Sequence, residues 1–164
     1  MTPEIAIIID NLERAIALIE LTPEKDVDLF QFKRKCGTVH CTAGWLTTDP
    51  HFQAQGMGLK LEKQALGSYR SFLTNTKTPG ACSYNYEWLD ALFGANAFNN
   101  LFAEYGEGHN DNQLVGAETG QVLFYDAEYD EKNDGKPVSD KTLALLRLRH
   151  YLSMHKTLAA SPSV

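Results

Sequence analysis

The sequence predicts a mainly α-helical protein, a compact single-domain bundle of about five to six helices over residues 1–160 with a frayed tail at 161–164. Two observations favour helices: apolar residues recur at helical spacing near both ends of the chain, and capping residues precede several of these stripes. A third is the stretch 106–137, where glycines and acids replace any periodic pattern. We therefore expect a long irregular acidic segment before the last helix, with room for one short strand pair, for example at the apolar island 122–125.

The first helix is predicted by its start signal, Thr2-Pro3-Glu4. A threonine can cap the free amide groups, proline suits the first helical position, and an acid is favourable at the positive end of the helix dipole. The apolar stripe that follows consists of Ile5, Ile8, Leu12, Ile16 and Ile19. We expect this helix to run to about Leu21.

The middle of the chain predicts several shorter helices. Thr38 is a suitable N-cap for a helix over 39–46, and Asp49 with Pro50 begins a helix over 51–55 that Gly56 closes. Residues 59–73 carry apolar side chains at helical spacing, so we expect a helix there as well.

The last part of the chain has two clear helix boundaries. Gly94 stands at the C-cap of a short apolar helix around 88–93. Ser139 caps a final helix that carries many leucines and ends near Ala159. We therefore predict a long helix at each end of the chain.

Composition places the protein among soluble globular domains. No apolar run approaches the ~18 residues of a membrane span, so we expect no membrane association. Glu4 stands where a secretory signal would carry positive charge, which favours a cytoplasmic location. In that reducing compartment we expect the three cysteines to remain thiols.

Charge is distributed unevenly along the chain. Residues 104–134, called the acidic segment from here on, hold nine acids against Lys132 alone, a net charge of −8, whereas residues 135–164 carry +4. This pattern either balances a solvated acidic loop against the basic final helix or offers an acidic surface to a basic protein partner. Without a clustered basic face, direct nucleic-acid binding is not expected. The candidate binding residues are Glu107, Asp111, Asp126, Glu128, Asp130, Glu131 and Asp134.

Three interpretations fit Cys36 and Cys41. A thiolate nucleophile at Cys41 or Cys36 would need a distant base such as His109, because adjacent His40 points away from Cys41 on a helix. A zinc site could combine Cys36, Cys41 and His51, although only one Cys-x4-Cys pair is present where two ligand pairs are typical. In the third interpretation both cysteines simply pack at a loop-to-helix junction, and we expect no cofactor.

The stretch Cys36-Gly37-Thr38-Val39-His40-Cys41-Thr42-Ala43-Gly44-Trp45 resembles a Cys-Gly-Thr-x-x-Cys-x-x-Gly-Trp motif of small uncharacterised proteins of bacteria and their phages. In those proteins the motif follows an amphipathic helix and an Asp/Phe-containing loop, here residues 26–32. A Pro-x-Phe…Gly segment then follows, here Pro50, Phe52 and Gly56. The resemblance covers roughly the first 60 residues and, more loosely, Leu92-Phe93 and residues 98–102. It implies architecture and origin, with no activity.

Together these patterns favour a small accessory protein, encoded by a phage or a bacterium, that binds a host or phage macromolecule as an inhibitor or modulator. Its location would be the host cytoplasm if a phage encodes it. Two alternatives stay open: a cysteine-dependent enzyme that uses Cys41 or Cys36 with a distant histidine, and a zinc-stabilised structural module. The sequence does not predict an oligomeric state.

Overall fold

The computed structural model describes residues 2–28, 41–63, 69–78, 86–97, 101–102 and 139–160. These residues are mainly helical, as the sequence predicts, and they also contain one two-stranded antiparallel sheet. The elements in chain order are α1 (Pro3–Leu21), α2 (Thr42–Leu46), α3 (Pro50–Ala54), β1 (Met57–Lys63), β2 (Tyr69–Asn75), α4 (Asp90–Phe93) and α5 (Asp140–Ala160). Short 3₁₀ turns lie at Glu24–Asp26 and Glu87–Leu89. The tail at 161–164 lies outside the described residues.

The two long helices begin and end close to the predicted positions. The Thr2 hydroxyl accepts the Ile5 N–H at 3.4 Å, so the predicted N-cap of α1 is confirmed. At the start of α5 the Ser139 hydroxyl accepts the Thr142 N–H at 3.2 Å. Both caps satisfy amide groups that the first helical turn leaves without an intrahelical acceptor.

Helices α1 and α5 pack along each other in antiparallel directions. Glu20 near the end of α1 pairs with Arg149, and Glu13, two turns earlier, pairs with Lys156, two turns later in α5. Leu12 and Ile19 of α1 and Leu148 of α5 are fully buried in the same apolar cluster. Burial of one such side chain contributes about 1.5–3 kcal/mol to the stability of the fold.

Aromatic rings from three segments complete the core. Phe52 of α3 stacks on Phe93 of α4 with ring centroids 5.7 Å apart, and Phe93 meets the edge of Phe102 at 5.2 Å. The predicted C-cap of α4 is confirmed, since Gly94 has φ +98° and directs the chain away from the helix. That conformation favours glycine, because a β-carbon is strained in it.

Residues 57–63 and 69–75 form a pair of antiparallel strands, so the prediction of a helix over 59–73 is wrong. Strands β1 and β2 pair in a register that places Leu59 opposite Leu73 and Lys60 opposite Phe72. Phe72 and Leu73 are neighbours that point to opposite faces, yet both are buried. The spacing of apolar residues cannot distinguish a helix from a strand that is buried on both faces, because such a strand also carries closely spaced apolar residues.

Helix α2 begins later than predicted. It runs over Thr42–Leu46, and Cys41 takes the N-cap position that the sequence assigned to Thr38. Cys41 has an extended backbone (φ −70°, ψ 173°) and therefore precedes the helix instead of occupying its third position. Trp45 is held by a hydrogen bond from its indole N–H to the Asp26 carbonyl at 3.0 Å, which ties α2 to the 3₁₀ turn after α1.

Candidate functional site

The principal polar site of the described structure is built around Asn11, which lies on the buried face of α1. Its neighbours on that face are Ile8, Leu12 and Ala15, and only 1% of Asn11 is exposed. A buried amide must find hydrogen-bond partners, because leaving it unsatisfied costs about 1–3 kcal/mol. The partners of Asn11 come from segments far away in the sequence.

The orientation of the Asn11 amide follows from its partners. Its Nδ2 donates to the Leu92 carbonyl at 2.9 Å and to Gln55 Oε1 at 3.0 Å. In return Gln55 Nε2 donates to Asn11 Oδ1 at 2.7 Å, so the two amides form a reciprocal pair. Since a carbonyl can only accept, the Leu92 contact fixes which end of Asn11 carries the nitrogen. Asn11 therefore joins α1 to the end of α3 and to α4.

His51 closes this arrangement on the solvent side. Its Nε2 lies 2.8 Å from Asn11 Oδ1 and 2.7 Å from Gln55 Nε2, and its side chain is 30% exposed. A carboxylate oxygen of Asp10 lies 3.9 Å from Nε2. We call Asn11, His51 and Gln55 the Asn11 cluster. Its two amide groups are engaged with each other and with the Leu92 carbonyl, which is the pattern of a structural joint between helices.

A bidentate ion pair stands beside the Asn11 cluster. Arg14 donates to the Asp49 carboxylate through Nε at 3.1 Å and Nη2 at 3.0 Å. The same carboxylate accepts the His51 N–H at 2.8 Å, which confirms Asp49 as the N-cap of α3. Burial by itself would raise the pKa of Asp49, but the hydrogen bonds from Arg14 and His51 and the charge of Arg14 together lower the pKa below its ordinary value.

Cys41 is positioned as a capping residue. Its Sγ accepts the Gly44 N–H at 3.4 Å, and the residue is 2% exposed. A thiolate nucleophile needs access to its substrate, and this thiol is enclosed at the start of α2. The geometry therefore favours the packing interpretation for Cys41.

Of the three predicted zinc ligands the structure describes only Cys41 and His51, so the zinc site stays a prediction. The contacts of His51 are with Asn11, Gln55, Asp10 and the ring of Phe52. In the part of the chain that the structure describes, no group of three or more histidine, cysteine, aspartate or glutamate side chains could hold a metal ion. The other predicted site residues lie outside the described residues: Cys36, His109, Glu107, Asp111, Asp126, Glu128, Asp130, Glu131 and Asp134.

Three basic side chains of α5 contact α1 or its C-cap residue Thr22. Lys141 Nζ donates to the Glu20 carbonyl at 2.8 Å and to the Thr22 carbonyl at 2.6 Å. Arg149 contacts the Glu20 carboxylate at 2.6 Å, and Lys156 contacts that of Glu13 at 2.7 Å. Such exposed pairs contribute little stability each, but they place the positive charge of α5 next to the negative charge of α1.

Comparison with known proteins adds no relative: the chain matches no protein-family model, no curated protein and no solved structure. Among the helices within the described ranges, none has both the length and the apolar character that crossing a membrane requires.

The sequence pointed to His51 but missed Asn11 and Gln55. The available signal was a polar residue at a position of the apolar stripe of α1, three residues after Ile8 and four before Ala15.

Proposed function

We propose that this protein acts by binding a protein partner with a basic surface, and that the acidic segment supplies the contact. Nine acids and one lysine give this segment a net charge of −8, more than the −6 of the whole chain. Charge of one sign attracts a partner of the opposite sign and speeds the encounter. The biological role we propose is that of an accessory protein, encoded by a phage or a bacterium, that modulates a host or phage macromolecule.

The observation that carries this proposal is the set of contacts that the basic side chains of α5 make. If the basic end of the chain served to balance the acidic segment, its side chains should be available for it. Three of the five basic residues in 135–164, namely Lys141, Arg149 and Lys156, contact carbonyl and carboxylate groups of α1 and of its C-cap Thr22. Their engagement supports the interpretation in which the acidic segment meets an external partner.

The position of Cys41 favours binding over thiol chemistry. A cysteine that is 2% exposed and caps a helix has a structural reason to be there. The alternative enzyme would then depend on Cys36 with a distant histidine such as His109, and both of these residues lie outside the described residues. Zinc content of protein purified without a histidine tag tests the remaining alternative, and a substoichiometric amount contradicts a zinc-stabilised module.

The test is affinity capture from host lysate followed by quantitative binding of the captured protein. One variant removes four charges from the acidic segment: Asp126→Asn, Glu128→Gln, Asp130→Asn and Glu131→Gln. A matched control removes four acids at the surface of the described structure: Glu4→Gln, Asp10→Asn, Glu24→Gln and Glu62→Gln. Both variants have the same net charge, so any difference between them reports the location of the charge.

We expect a basic protein to bind the unmodified chain and the control, and to bind the segment variant at least about tenfold more weakly. Raising the salt concentration from about 0.05 M to about 0.5 M should weaken binding of the unmodified chain by a similar factor, because salt screens exposed charges. Equal binding by both variants, or binding that salt leaves unchanged, contradicts the acidic contact. Failure to capture any partner contradicts the binding function itself.

A further inference from the structure

We draw no further inference here: the strongest candidate, the shallow groove of about 490 Å³ along the exposed stripe of α5 that contains Arg149, Ser153 and Lys156, has both cations paired with acids of α1, and nothing in the part of the chain that the structure describes shows what covers it.

Discussion

Replacement of Asn11 by alanine should destabilise the protein far more than an ordinary surface substitution. The change deletes the donor to the Leu92 carbonyl and both halves of the amide pair with Gln55. A buried polar group that loses its partner costs about 1–3 kcal/mol. Gln55 and His51 are half-buried and can recover water, so most of the cost comes from the Leu92 carbonyl. Alanine regains about 0.5 kcal/mol through its higher helix propensity, which leaves a net loss of about 0.5–2.5 kcal/mol.

Urea unfolding followed by circular dichroism measures this loss as a shift in midpoint at unchanged slope. Asn11→Asp separates hydrogen bonding from packing, since it keeps the size of the side chain but turns the donor that faces the Leu92 carbonyl into an acceptor. At neutral pH it should cost at least as much as Asn11→Ala. A smaller cost for Asn11→Asp would mean that side-chain volume, and not the donor, matters at this position.

A double-mutant cycle tests the joint itself. Gln55→Ala should cost more than Gln53→Ala, a comparison two residues earlier in α3, where an exposed side chain makes one hydrogen bond, to the Thr47 carbonyl at 2.9 Å. The double variant Asn11→Ala/Gln55→Ala should show a coupling of about 1 kcal/mol or more, because each amide is the other's partner. A loss below about 0.5 kcal/mol for Asn11→Ala, or equal effects of the two glutamine variants, would refute the assignment of the Asn11 cluster as the joint between α1, α3 and α4.

Three further outcomes are expected. Gly94→Ala should lower the free energy of unfolding by more than about 1 kcal/mol, because φ is +98° there and a β-carbon would overlap the His155 ring. Adding His155→Ala should restore only the stability lost to this overlap. Full restoration of stability would contradict backbone strain at Gly94. Asp49→Asn should cost about 1 kcal/mol at neutral pH by loss of charge towards Arg14. Since the pKa of Asp49 is lowered in the folded protein, its carboxylate stabilises the fold fully above the ordinary pKa of 3.8, and this stabilisation is lost as the pH falls through the folded pKa. The free energies of unfolding of the variant and the unmodified protein should therefore converge as the pH is lowered. A difference between them that stays constant with pH would contradict the lowered pKa. Cys41, studied with the other cysteines replaced by serine, should react with a mild alkylating agent no faster than the protein opens, and rapid labelling at neutral pH without denaturant would contradict its enclosure.

The helix ends show how much of the fold local chemistry can predict. The caps at Thr2, Asp49 and Ser139 and the glycine at position 94 act within three or four residues of themselves. Their partners are therefore fixed by the helix geometry alone, whatever the rest of the chain does. This is why both long helices could be placed from the sequence, and why the predicted start of α3 is confirmed.

The strand pair β1–β2 and the start of α2 show where prediction from the local sequence fails. Phe72 and Leu73 are buried on opposite faces, and only the segments that pack on each face decide that they belong to a strand. Likewise the sequence predicts Thr38 as the cap, because a hydroxyl is a stronger hydrogen-bonding group than a thiol, whereas Cys41 takes this position in the structure. The surrounding fold, which buries Cys41 and anchors Trp45 to the Asp26 carbonyl, places the start of the helix at Thr42.

The sequence by itself determined that this protein is mainly helical, where its long helices begin and end, and that its negative charge concentrates in the acidic segment. Those properties depend on neighbouring residues or on a simple count. Only the tertiary structure decided the strand pair, the enclosure of Cys41 and the site at Asn11. The hydrogen bonds of Asn11 reach residues 44 and 81 positions away, so no local pattern specifies them, and they exist only because the fold brings α1, α3 and α4 together.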